Sequence, residues 1–217
     1  MDNMRKNTIV AFLLDESGSM SRVRHEAVTG LNEYIDTLKG DPSPTSLRLT
    51  TFNSNRTRVI FDFQDVQAIE KISNHSYRPD CATPLLDNIA WSILATDNYL
   101  KGRLEELDVM FTIMTDGLEN ASSSFTRSEV SLMIKARESE GWMFTYLGAN
   151  QNARAEGRRM GIKSKYAATY EYDNPKEAMR IMAESTMRAK AGWKETRNAK
   201  DFFTEIEKLR LLEKRSK

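Results

Sequence analysis

The sequence predicts an α/β fold: a mostly parallel central sheet with one antiparallel edge strand, helices on both faces, and a helical extension at the C-terminus. Three observations predict it. Apolar runs of strand length alternate with segments whose apolar residues recur at helical spacing, the pattern of βα units on a parallel sheet. Two runs, Ile9-Val10-Ala11-Phe12-Leu13-Leu14 and Val109-Met110-Phe111-Thr112-Ile113-Met114, are nearly continuous rather than alternating, as buried strands read. One pair of runs is separated only by Asn53-Ser54-Asn55-Arg56. That is too short for a parallel crossover and right for an antiparallel hairpin.

The first strand falls near residues 7 to 15. A helix follows over 21 to 39, with Val23, Ala27, Leu31, Ile35 and Leu38 at helical spacing, and Gly40-Asp41-Pro42-Ser43-Pro44 stops it. The hairpin strands are residues 47 to 52 and 57 to 63, and a short helix is expected at 65 to 73. A loop carrying Thr83 leads to a helix with Leu86, Ile89, Ala90, Ile93 and Leu94, and the next strand ends at Asp116. A helix over 127 to 140 precedes the strand around 142 to 147. A small helix near 151 to 160 leads to a last strand at 166 to 172.

Residues 173 to 217 read as an addition to this core. Asn174-Pro175-Lys176-Glu177 is a helix start, with Pro at the first position and Glu at the third. Ala178, Met179, Met182 and Ala183 form its apolar stripe. A second tail helix over 199 to 215 carries Phe202, Phe203, Ile206, Leu209 and Leu212 on one side. These amphipathic helices are expected to pack back on the domain, covering Trp193, Phe202 and Phe203; the alternative is that those aromatics dock a partner or a second copy.

Composition sets limits. The 217 residues suit one domain with an extension, and 40% hydrophobic content is enough for a core. No apolar run approaches the roughly 20 residues needed to cross a bilayer. With a mean hydropathy of −0.57 and no signal-peptide pattern at the N-terminus, a cytoplasmic location is expected. The single cysteine, Cys81, excludes an internal disulfide and a Cys-based zinc site. Only His25 and His75 are present, which argues against a His-rich transition-metal site. A net charge of +1 gives no bulk attraction to nucleic acid or membrane. The 11 methionines read as core filler, and His25 as a surface residue.

The chemistry concentrates where the first strand ends, in Asp15-Glu16-Ser17-Gly18-Ser19. Side chains along an extended chain alternate with period two, so Asp15, Ser17 and Ser19 can converge on one point if the loop stays extended. Oxygen ligands without sulfur or imidazole suit a hard cation such as Mg2+. Thr83 stands in a turn ahead of a helix, and Asp116 ends the second buried strand. In an open α/β sheet, ligands bind outside the carboxyl ends of strands.

Together these motifs resemble the von Willebrand factor A (vWA) domain family, whose metal-ion-dependent adhesion site (MIDAS) is written Asp-x-Ser-x-Ser, then a distant Thr and a distant Asp. The resemblance covers roughly residues 7 to 172, giving a vWA domain at 1–172 and a helical extension at 173–217. It implies a Rossmann-like fold and a metal held by Asp15, Ser17, Ser19, Thr83 and Asp116. It also implies one open metal position, filled by an Asp or Glu of a partner protein. The metal expected is Mg2+, with Mn2+ and Ca2+ as alternatives. Cys81 sits where the family often has glycine, and a structural role is expected of it. Glu119 and Asn120 either line the rim or are solvated loop residues. Asn150 is either a partner of the ligands or a cap of the next helix. The stretch around it resembles small bacterial and phage-type vWA proteins.

A catalytic reading is weaker. Phosphatases of the haloacid dehalogenase type need a carboxylate two residues after the first, where this chain has Ser17. No Walker pattern is present, and the one base beside the serines, Asp15, would be claimed by the metal. An RNA-associated role would rest on the tail, where acids interrupt Arg180, Arg188, Lys190, Lys194 and Arg197. The expectation is an intracellular, metal-dependent protein-binding adaptor, not an enzyme, with no membrane partner and its oligomeric state open. A metal-dependent phosphatase-like hydrolase and an RNA-associated vWA protein stand as the alternatives.

Overall fold

The computed structural model describes residues 7–103, 107–149, 152–192 and 202–214. Six strands form one sheet: β1 (Asn7–Asp15), β2 (Thr45–Asn53), β3 (Arg56–Asp65), β4 (Leu107–Thr115), β5 (Met143–Ala149) and β6 (Ala167–Tyr170). Their order is β3-β2-β1-β4-β5-β6. β1 pairs in parallel with both β2 and β4, and β4–β5 and β5–β6 are parallel too. β3 is antiparallel to β2, joined by the short turn at Ser54-Asn55. The Rossmann-like architecture is therefore the one expected. The chain leaves β1 to build one half of the sheet and returns to β1 to build the other, so the switch point lies between β1 and β4.

The described helices are α1 (Arg24–Lys39), α2 (Leu85–Leu100), α3 (Arg127–Ser139), α4 (Ala153–Arg159), α5 (Pro175–Ala191) and α6 (Glu205–Leu211). A 3-10 turn, Gly18–Val23, leads into α1. Every residue of β1 after Asn7 is buried, which explains its unbroken apolar run. Phe12 meets Tyr34 of α1 edge-on, with ring centroids 5.1 Å apart. Burial of such side chains supplies about 1.5–3 kcal/mol each.

The expected helix over 65–73 does not form. The chain makes two 3-10 turns, Val66–Ala68 and Asn74–Ser76, around an irregular run. Val66, Ile69 and Ile72 are all buried at a spacing of three, which mimics a helical stripe. Side chains of α1 satisfy the backbone instead. Asn32 holds both the N–H (2.8 Å) and the carbonyl (2.9 Å) of Ile72, and Lys39 Nζ donates to Ile69 O at 2.6 Å.

Helix α5 is built into the core. Ala178, Met179, Met182 and Ala183 are buried as their spacing predicts. Gly30 lets α5 approach α1: a Cβ there would lie 2.8 Å from Lys176 Cα. Further along, Thr186 Oγ1 is 3.5 Å from Tyr34 Oη. Helix α6 departs from expectation. Phe202 and Phe203 lie before it and are fully buried, while Ile206, Leu209 and Leu212 are exposed. The inward side is made by Glu207, paired with Arg188 of α5 at 2.8 Å, and by Leu211 one turn on. Trp193 lies outside the described residues.

The last turn of α5 is tied to the α1–β2 connection. Lys190 Nζ reaches Asp41 Oδ2 at 2.9 Å, with both side chains largely buried, and also donates to Thr45 Oγ1. Burial raises the Asp41 carboxyl, but hydrogen bonds from Lys190 and Ser43 outweigh it and hold it at about 2. Breaking a buried pair from one side typically costs about 3–5 kcal/mol. Asp41→Asn is therefore expected to lower the unfolding free energy at neutral pH by about 3 kcal/mol, measured in urea. The contribution is complete above the ordinary value of 3.8 and is lost as pH falls to about 2, so the variant and the parent converge in acid.

Candidate functional site

The predicted ligand residues meet at the carboxyl ends of β1 and β4. Asp15, at the end of β1, is fully buried. Its Oδ1 accepts from Ser17 N at 2.8 Å, and its Oδ2 accepts from Thr115 Oγ1 at 2.6 Å. The Ser17 and Ser19 hydroxyls lie 3.1 Å apart. Ser19 Oγ donates to Asp116 Oδ1 at 2.9 Å, and Ser17 Oγ stands 3.5 Å from the same oxygen. Thr83 enters from its loop across Gly117. A Cβ on Gly117 would lie 3.1 Å from Thr83 Oγ1 and 3.9 Å from Asp15 Oδ2, so glycine there keeps the space between them open. All five residues are brought together. Asp15, Ser17 and Thr83 form the buried floor, and Ser19 opens to solvent.

Burial pushes the Asp15 carboxyl up to about 6, opposed by the Thr115 hydrogen bond and reinforced by the charge of Asp116. Burial raises Asp116 as well, against the hydrogen bond from Ser19. Asp116 Oδ2 is buried and has no hydrogen-bond partner. A buried carboxylate oxygen left unsatisfied is costly, while the Ser17 and Ser19 hydroxyls both face its sister atom Oδ1. Among the described residues, no group of three or more His, Cys, Asp or Glu is placed to hold a metal. The donor set is all oxygen and mostly neutral, which fits a hard divalent cation and no other common metal class.

The flanking residues have definite tasks. Asn120 Oδ1 accepts from Thr83 N at 2.8 Å, and Asn120 N donates to Thr83 O at 3.2 Å. It thus fixes the Thr83 backbone on both sides. Glu119 is not a free rim carboxylate: its oxygens accept from Leu86 N (2.8 Å), Ala121 N (2.8 Å) and Ser122 N (2.7 Å). It holds the 117–122 loop at the N-terminal end of α2, where a negative charge is favoured. Asn150 lies outside the described residues. Cys81 is exposed and adopts φ 61°, the left-handed conformation that costs a side chain and favours glycine. Its carbonyl accepts from Gly18 N at 2.9 Å, so the strained turn joins the Thr83 loop to the serine loop.

Three residues escape sequence reasoning. Glu16 is fully buried beside the site. It accepts from Arg58 and from the Arg78 N–H, with Arg56 at 3.7 Å. Its signal was present: Arg56 and Arg58 are two residues apart on one strand, hence on one face. The hydroxyls of Tyr77 and Tyr172 donate to the carbonyls of Asp15 and Ser19. No local pattern marks either tyrosine.

The open, mostly parallel sheet with carboxylates and hydroxyls gathered at its switch point defines a Rossmann-like α/β domain. The sequence matches the profile of the von Willebrand factor type A domain over residues 10–184, and the chain belongs to that family. No curated protein matches it. Among solved structures it is similar to proximal thread matrix protein 1 from the mussel byssus, with 16% identity, TM-score 0.60, and coverage of 83% of this chain and 46% of that one. It is similar to a von Willebrand factor type A protein from Catenulispora acidiphila, with 14% identity, TM-score 0.60, and coverage of 84% and 43%. It is also similar to the pilus adhesin SpaC from Lactobacillus rhamnosus GG in its open conformation, with 12% identity, TM-score 0.63, and coverage of 84% and 30%. The chain thus spans less than half the length of each of these three structures. At these identities the likeness concerns the fold.

Two consequences are measurable. Glu16→Ala removes the acceptor of the Arg78 N–H and the carboxylate between two partly exposed arginines, and is expected to cost about 1–3 kcal/mol in urea unfolding. In EDTA, the raised Asp15 value penalises the folded state by about 3 kcal/mol above pH 6, and the penalty shrinks as pH falls from 6 toward 3.8. Asp15→Asn is therefore expected to melt above the parent at pH 7, with the gap closing near pH 4.

Proposed function

We propose that this vWA domain is a divalent-cation-dependent protein-binding module. Asp15, Ser17, Ser19, Thr83 and Asp116 would hold the ion. The single observation that carries this reading is the buried, unpartnered Oδ2 of Asp116, whose other oxygen faces the Ser17 and Ser19 hydroxyls. The ion is taken to be Mg2+, with Mn2+ and Ca2+ sharing the same oxygen chemistry. When bound, it supplies Lewis acidity toward an incoming carboxylate, and mostly neutral ligands preserve that attraction. The chain's own residues do the rest. Thr115 and the Ser17 N–H orient Asp15, Asn120 sets Thr83, and Ser19 with Asp116 forms the solvent-facing edge where a partner's Asp or Glu would enter.

The module is read as capturing, not catalysing. Asp15, the nearest candidate base, is committed to Thr115 and Ser17. Capture is also the use suggested by the pilus adhesin among the similar structures. We read it as an intracellular adaptor of the small bacterial or phage kind; the lone cysteine fits a reducing compartment. No described helix is long and apolar enough to cross a membrane.

The test is capture from host lysate in Mg2+ and in EDTA, with Mg2+ affinity measured by calorimetry. The parent should bind Mg2+ and retain a partner only with metal. Thr83→Ala should lose both while keeping its melting temperature within a few degrees. Equal capture with and without EDTA would overturn the metal reading.

A further inference from the structure

Two loops beside the site carry an uneven charge. Residues 18–25 and 73–80 run side by side at the top of the sheet. Ser21 Oγ donates to Pro79 O at 3.4 Å, and Asp80 N donates to Glu16 O at 3.0 Å. Between them these segments hold Arg22, Arg24, Arg78 and both of the chain's histidines, His25 and His75, against one acid, Asp80. Glu26 follows at the start of α1. Arg22, His25, His75 and Arg78 are exposed, and Arg24 is half-buried. Neutral carbonyls orient two of the guanidiniums without neutralising them: Arg24 Nε donates to Asn74 O and Arg78 Nε to His75 O, each at 2.9 Å. Across the site, the 116–124 segment contains no base and presents the exposed Leu118.

This asymmetry matters because of the charge balance at the centre. Two aspartates cancel a divalent ion, so the loaded site has little long-range pull on an approaching acid. Steering must come from charges around it, which raise on-rates and set orientation. We propose that Arg22, Arg24 and Arg78 form a second recognition zone fitted to an acidic peptide segment: one carboxylate goes to the metal, and its acidic neighbours lie over the arginines. The proposal rests on the metal-dependent reading above. A peptide fits better than nucleic acid. The zone is short, whereas sequence-independent nucleic-acid binding draws on many phosphate contacts. Leu118 opposite also offers apolar contact to a side chain.

The experiment uses fluorescence anisotropy with the full chain and labelled hexaglutamate, in Mg2+ and in EDTA, at low and moderate salt. A labelled twelve-residue oligothymidine is the competing probe. The variant is Arg22→Gln with Arg78→Gln, both exposed; Arg22→Gln alone serves if the double variant melts early. Hexaglutamate should bind in Mg2+, and the double variant should weaken it by about five-fold or more and flatten its salt dependence. Mg2+-dependent binding unchanged in the variant overturns this inference and leaves the metal reading standing. Binding equal in EDTA but lost in the variant keeps the arginine zone and removes the metal reading. No hexaglutamate binding, or tighter binding of the oligothymidine, overturns the inference.

Discussion

Two carboxylates end neighbouring parallel strands, and the cost of burying them organises everything above the sheet. Asp15 is fully buried and Asp116 lies half-buried against it. Like charges in a dry environment raise each other's proton affinity unless something compensates. The chain compensates in part, with Thr115 and the Ser17 N–H on Asp15 and the serine hydroxyls on Asp116. It stops short at Asp116 Oδ2. The surroundings then follow from need. Gly117 has no side chain because one would fill the space that Thr83 shares with Asp15. Cys81 accepts a left-handed backbone so that the Thr83 loop can meet the serine loop. Tyr77 and Tyr172 pin the two carbonyls that bracket the serine turn.

What could be read from the sequence follows the range over which each signal acts. The strands and most helices are legible because burial imposes a period on the residues themselves. Asp15 and Ser17 are legible for the same reason, since they alternate along a chain leaving a strand, whereas Ser19 reaches the cluster from the 3-10 turn that begins at Gly18. The segment from Val66 to Ile72 defeats this reading because a spacing of three suits a helix and an irregular run alike. Its backbone is satisfied by Asn32 and Lys39, residues on another element. The contacts of Glu119 are not legible locally, because they include Leu86 N, 33 residues away in sequence. Helix α6 buries Glu207 and Leu211 instead of Ile206 and Leu209, because the inward carboxylate meets Arg188 of another element, which a single helix's pattern does not show.

Glu16 connects the two kinds of information. It lies inside the motif, yet it takes no part in the cluster of oxygens. It grips the β2–β3 hairpin through Arg58 and the Tyr77 loop through the Arg78 N–H. The hairpin edge and the loop that delivers Thr83 are thereby tied to one side chain immediately after Asp15. The site's geometry is set by ion pairing on one side of β1 and by hydroxyl hydrogen bonding on the other.

The strand order has a consequence for how the protein comes to exist. β1 is the first strand in the sequence, yet it sits in the middle of the sheet. Its pairing with β4 joins Asn7 to Leu107, and the Thr115–Asp15 hydrogen bond spans 100 residues. Contacts so distant along the chain close slowly, because the entropy of a large loop is lost before any of them forms. During synthesis, Asp15 leaves the ribosome with no partner for its second oxygen until Thr115 has followed it. The oxygen cluster is therefore a late product of folding, and its completion reports that both halves of the sheet have joined.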